Sequence, residues 1–147
     1  MEIRPAGPSD TGAIAALVDR AYAHYEGRIG QRPGPMDDDH PADIAAGHTY
    51  LAVDGSPAGV IVIHPHSDHL LIRNVAVAPE RQGEGIGGTL LEFAADRAGE
   101  LALPELRLYT HEKMAENRAL YEHLGWEQYE PPGESGARIH LRKSVNP

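Results

Sequence analysis

The chain has 147 residues, 41% of them hydrophobic and 24% charged, with a formal net charge of −9 and no cysteine. That length suits one domain, expected over residues 1–147, and the composition is globular rather than disordered. The missing cysteine excludes disulfides, Cys-ligated zinc, iron–sulfur clusters and a Cys nucleophile, while the acidity argues against a nucleic-acid partner, which wants a basic face.

No apolar run approaches the roughly 20 residues that span a bilayer, so no membrane partner is expected. Met1 to Pro5 lacks a basic stretch followed by an apolar one, so the expectation is a cytoplasmic protein, monomer or homodimer.

Glu2 to Arg4 reads as a first strand, broken by Pro5, Gly7 and Pro8. Ser9 or Asp10 can cap a helix whose apolar face is Ile14, Leu17, Val18 and Ala21, with Tyr22 and Tyr25 near its end. Gly27 to Pro35 is a glycine- and proline-rich loop. Asp37 to Asp39 opens a short helix that holds Ile44 and stops at Gly47. Thr49 to Val53 alternates as a strand, and Asp54-Gly55 marks a hairpin into a strand over Ala58 to His64. After a turn at Pro65 to Asp68, Leu70 to Val77 is a long strand.

A helix over about Ile86 to Leu101 carries Leu90, Leu91, Phe93, Ala94 and Leu101 at helical spacing. Leu106 to Tyr109 is a fifth strand. A fourth helix runs from about Glu112 to Leu124, with Gly125 at its C′ position and Leu120 and Leu124 on its core face. Trp126 to Tyr129 and Ala137 to Leu141 are the last strands. The expected class is α/β, in the order β-α-α-β-β-β-α-β-α-β-β: about seven strands and about four helices.

Between the long strand and the third helix stands Gln82-Gly83-Glu84-Gly85-Ile86-Gly87-Gly88. The first N–H groups of a helix lack intrahelical partners and carry partial positive charge, and glycines let a phosphate approach them closely. An anion site of backbone N–H groups is the consequence. Gly83-x-Gly85-x-x-Gly88 formally fits a dinucleotide fingerprint, but that motif wants an acidic residue at the end of the next strand. Glu105 lies at its beginning instead. No Gly-Lys-Ser/Thr follows, so a P-loop is excluded.

The same segment as Gln82-x-x-Gly85-x-Gly87 resembles the coenzyme A turn of GNAT-family N-acetyltransferases. Asn117-Arg118-Ala119-Leu120-Tyr121-Glu122-His123-Leu124-Gly125-Trp126 is similar to that family's second signature, and the element order matches along nearly the whole chain. The resemblance implies a GNAT fold with a central, mostly antiparallel mixed sheet. It implies acetyl-CoA as co-substrate, held by Gln82, Gly83, Glu84, Gly85, Ile86, Gly87 and Gly88. Val75, Ala76 and Val77 would run beside its pantetheine and acetyl groups, and Asn117 would contact the coenzyme. Tyr121 would place its hydroxyl at the sulfur, as the catalytic acid. The acceptor would be a small-molecule or peptide amine. The carboxylate that many relatives carry on the central strand is absent here, where the chain reads Arg73-Asn74. His111 and Tyr109 stand by position as substitute bases, and a water chain or an amine arriving neutral are equal alternatives. The rivals are a non-catalytic acyl-CoA-binding module of the same fold and a dinucleotide-binding domain.

Two polar runs remain. His64-Pro65-His66-Ser67-Asp68-His69 spans a proline-containing turn and reads as a polar hairpin, with no metal expected. Asp37, Asp38 and Asp39 either attract a cationic amine or complement a helix N-terminus.

Overall fold

The computed structural model describes residues 1–29, 38–132 and 138–145, without the side chains of 24–29 and 115–117. Alternating strands β1 (Glu2–Pro5), β2 (Thr49–Asp54), β3 (Ser56–Pro65) and β4 (Leu70–Val77) pair antiparallel in sequence order. The hairpin between β2 and β3 turns on Gly55, whose φ of +73° suits glycine. β4 alternates buried and half-buried residues from end to end. β5 (Glu105–His111), β6 (Glu127–Tyr129) and β7 (Arg138–Ser144) complete a seven-stranded sheet of order β1-β2-β3-β4-β5-β7-β6. With α1 (Thr11–Ile29), α2 (His40–Ala45), α3 (Ile86–Glu100) and α4 (Ala115–His123), the order is the one expected.

The sheet is covered on both faces. α1 and α2 bury Ile14, Leu17, Val18, Ala21 and Ile44 against Leu51, Val60 and Ala76. α3 buries Ile86, Leu90, Ala94 and Ala98 in a second cluster with Ala52 and Ile61. Leu51 and Ala52 are consecutive, as are Val60 and Ile61, so strand alternation sends one of each pair to either face. Each fully buried Leu or Ile contributes about 1.5–3 kcal/mol. α3 lies close on the sheet because β3 offers Gly59 there. A Cβ at that position would stand 3.0 Å from both Ile86 and Leu90.

Three local expectations are corrected. α1 continues through Gly27 to Ile29 instead of yielding to a loop there. α4 begins at Ala115 rather than Glu112, because the main chain first makes a turn in which Met114 N–H donates to the His111 carbonyl at 2.9 Å. Leu120 and Leu124 are 53% and 38% exposed. The inward face of this helix carries Met114 at its cap and Tyr121 seven residues on, a stripe too narrow to include them.

The end of α4 matches its sequence signal. Gly125 at φ +96° follows the last helical turn, Trp126 N–H donates to the Tyr121 carbonyl at 3.0 Å, and Gly125 N–H donates to Glu122 at 3.1 Å. These are the two bonds of a Schellman cap. Among the described residues, no helix is long and apolar enough to cross a membrane.

Candidate active site

β4 and β5 are the one parallel pair among the described strands, and they separate almost at once. Leu70 pairs with Leu106 and Leu71 with Arg107, and no further rung forms. β4 stays paired with β3 on its other side as far as Val77. A wedge therefore opens along the β5-facing edge of β4. Ala78 N–H donates across to Ala58 of β3 at 2.9 Å. Strand alternation then turns Ala76 toward β3, and Val75 and Val77 toward the wedge. Their carbonyls meet side chains there: Val75 accepts from Tyr22 Oη at 3.1 Å, and Val77 from Gln82 Nε2 at 3.5 Å.

The wedge leads to the glycine turn. Gly83 and Gly85 have φ of +87° and +83°, the left-handed region where side chains are strained. Gly85 is the N-cap of α3. A Cβ at Gly83, Gly85 or Gly88 would meet nothing within 4 Å, and one at Gly87 would meet only Val77, at 3.7 Å. Among the described residues, nothing accepts a hydrogen bond from the N–H groups of residues 83 to 88. This is a backbone cradle with open space above it, the form that a pyrophosphate fits. Arg81 braces the turn from outside, bonded to Glu84 at 3.0 Å and Asp54 at 3.0 Å, and these carboxylates raise its pKa further.

Arg73 is the extra residue of a β-bulge: Val62 pairs with Asn74 and Ile63 with Ile72. Its guanidinium donates to Asp38 Oδ1 at 2.6 Å and to Tyr109 Oη at 2.9 Å. Arg138 stacks over the same tyrosine ring, 4.3 Å from its centre. Asp38 Oδ2 is buried without a hydrogen-bond partner. Asn74 is 4% exposed, and its Oδ1 accepts from Tyr22 Oη at 2.9 Å while its Nδ2 is unpartnered. A tyrosine hydroxyl has one hydrogen, so it cannot donate fully to both Asn74 and Val75. Reversing the amide lets Nδ2 donate to Tyr22 while Tyr22 donates to Val75.

The other expected residues divide. Tyr121 is 9% exposed and packs edge-on against Trp126, with ring centres 5.7 Å apart. Asn117 lies in α4, but its side chain, like Asp37, is outside the described residues. Asp39 caps α2, its carboxylate accepting from Ala42 N–H at 3.0 Å. Of the acidic run, then, Asp39 serves the helix and Asp38 is bound to Arg73. His111 Nδ1 accepts from Lys113 N–H at 3.0 Å. A neutral imidazole has one acceptor nitrogen, so the other nitrogen carries the hydrogen and has no lone pair to offer. In the hairpin run, His66 and His69 stack 4.5 Å apart and Asp68 holds His69 at 2.7 Å, while His64 turns away to Asp43.

Sequence reasoning missed Tyr22 as a group serving the wedge, and read Asp38 as an amine-attracting or helix-terminal carboxylate rather than as the partner of Arg73. Tyr22 extends the apolar face of α1, and nothing local ties it to Asn74, 52 residues away. The dinucleotide alternative is overturned by topology: a doubly wound fold needs successive parallel strands, and among the described strands only β4 and β5 are parallel.

A family model described as "Acetyltransferase (GNAT) domain" matches residues 45–128. No curated protein sequence matches the chain. Among solved structures, the PaiA N-acetyltransferase of Thermoplasma acidophilum in complex with coenzyme A superposes with a TM-score of 0.83 at 16% identity, over 97% of this chain and 98% of that one. The ribosomal-protein-S18-alanine N-acetyltransferase of Escherichia coli gives 0.72 at 21% identity, over 98% and 93%. N-acetylglutamate synthase of Neisseria gonorrhoeae, complexed with coenzyme A and N-acetyl-glutamate, gives 0.77 at 19% identity, over 99% of this chain but 35% of that one. With more than half of its length matched by the family model, and a wedge opening onto a glycine cradle in a sheet of the same architecture, this chain belongs to the GNAT acetyltransferase family.

Proposed function

We propose that the protein is an N-acetyltransferase that moves an acetyl group from acetyl-CoA to a primary amine by direct attack. The observation that carries this reading is the continuity of the wedge with the open cradle at Gly83 to Gly88. N–H groups of the cradle would hold the pyrophosphate. The unpaired edge at Val75 to Val77 would hold the pantetheine arm, with Asn117 as a further contact. The coenzyme supplies an activated thioester. The N–H groups of Val75 and Val77 face the wedge, where they can donate to an oxygen gaining negative charge. Tyr121 would protonate the departing sulfur, since a tyrosine's ordinary pKa of about 10 lies near the roughly 8.5 of a thiol.

No carboxylate stands on β4 to take the proton of an ammonium, and His111 is engaged by Lys113. Tyr109 Oη accepts from Arg73, so among the described residues the arrangement favours an acceptor that reaches the wedge as the free amine or loses its proton to water. Calorimetry should show CoA binding and no NAD binding. Release of free thiol from acetyl-CoA in the presence of an amine panel tests turnover. The missing carboxylate also favours a second reading, a non-catalytic acyl-CoA sensor. CoA binding without thiol release on any amine would establish that reading instead.

A further inference from the structure

A second cluster of chemistry lies away from the wedge. Asp43 of α2, His48 just before β2 and His64 near the end of β3 bring one ligand-type atom each within 4.8 Å of one another, all half-buried. His64 Nε2 is 2.9 Å from Asp43 Oδ1, and the His48 and His64 rings are 4.8 Å apart, tilted by 48°. The main chain fixes the arrangement. His48 N–H donates to the Asp43 carbonyl at 2.9 Å, and the His48 carbonyl accepts from Ile63 N–H at 2.9 Å. His64 pairs with Leu71, six residues before the end of β4, which sets the cluster about 20 Å from the end of β4 that leads to the glycine turn, at a strand rise of about 3.3 Å.

The donor set is two imidazoles and one carboxylate, with no thiolate. Imidazole and carboxylate together suit zinc-like divalent ions, and three protein ligands leave at least one position for solvent. Tetrahedral zinc with bonds of about 2.0–2.1 Å needs its ligand atoms about 3.3 Å apart. The Asp43–His64 pair is already that close, so the trio need contract by at most about 1.5 Å, within reach of a turn of the His48 ring.

We propose that Asp43, His48 and His64 form a binding site for a divalent transition metal of the zinc type, with an open solvent position. The ion would pin α2 to β2 and β3, and with it the segment carrying Asp38 and Asp39. The hairpin histidines His66 and His69 take no part.

Metal-stripped, tag-free full chain titrated with Zn²⁺ should bind one ion per chain, and Co²⁺ should give the visible absorption of a low-coordinate site. Outer-sphere partners of a metal typically cost 10–100-fold in affinity, so His48→Ala and His64→Ala should each weaken Zn²⁺ by at least about 100-fold. The His66→Ala/His69→Ala variant should bind as the wild type does. Should His64→Ala fail to fold, Asp43→Asn replaces it, because it keeps the shape and removes the charge. Absence of a stoichiometric ion overturns the proposal. So does wild-type affinity in His48→Ala or Asp43→Asn, or loss of binding confined to the His66/His69 variant.

Discussion

Arg73 and Asp38 join the bulge of β4 to the segment entering α2 through a single contact of 2.6 Å. Both side chains are largely buried, at 20% and 14% exposure, and Arg73 also holds Tyr109, so it is the loss of Arg73 that strands the Asp38 carboxylate. Arg73→Ala is expected to destabilise by about 1–3 kcal/mol, the cost of an unsatisfied buried polar group, as a shift in urea midpoint. A double-mutant cycle with Asp38→Ala should show coupling above about 0.5 kcal/mol. Additive effects would reduce the contact to a bystander.

Gly85→Glu should leave the fold standing and cut CoA affinity by well over tenfold. The new side chain enters open space, so nothing inside the protein resists it beyond the left-handed φ, which costs about 1–2 kcal/mol. It would occupy the room above the cradle and add like charge. A folded variant with wild-type CoA affinity, read by calorimetry, would remove the turn from the binding site.

Tyr121→Phe is expected to lower kcat by about 10²–10⁴-fold, the range for a positioned acid, with the KM for acetyl-CoA little changed. The ring is core, packed on Trp126, and phenylalanine preserves that packing. Retention of most of the kcat would assign Tyr121 to packing alone.

The base can be tested through pH. With His111 Nδ1 already accepting from Lys113, His111→Ala should keep the wild-type profile. For both enzymes kcat/KM should rise toward the amine's own pKa, about 10.4 for a lysine-like acceptor. A plateau near pH 6.5, abolished in the variant, would restore the histidine as base.

Acid sensitivity has a named contributor. Hydrogen bonds from Arg4 and from Gly7 N–H hold the Asp10 carboxyl at about 2, below its ordinary 3.8. The sign follows: this stabilisation is complete above pH 3.8 and is lost as pH falls through about 2. Arg4→Met should lower stability at neutral pH, with the gap to wild type closing in strong acid. Denaturant midpoints at the two pH values measure it.

The strands, the helices and the cradle were readable because each has a local cause: alternation, helical spacing, or glycine where φ is positive. Gly55, Gly85 and Gly125 all stand where the turn chemistry asked for them. What escaped was non-local. The roles of Tyr22 and Asp38 depend on partners 52 and 35 residues away. The cluster at Asp43, His48 and His64 draws one histidine out of a run that reads as a single hairpin. Leu120 and Leu124 misled because helical spacing identifies a face but not whether anything packs against it.

The order β5-β7-β6 also constrains how the molecule is made. β6 precedes β7 in the chain yet reaches the sheet only through it, since β7 pairs with β5 from Arg138 to Ser144 and with β6 on its other side. During synthesis β6 has no strand to pair with until β7 has emerged. Until then β5 presents an open edge to any neighbouring chain. A chain truncated ahead of Arg138 would therefore be an aggregation-prone species, whereas one that extends through Ser144 covers the β5 edge.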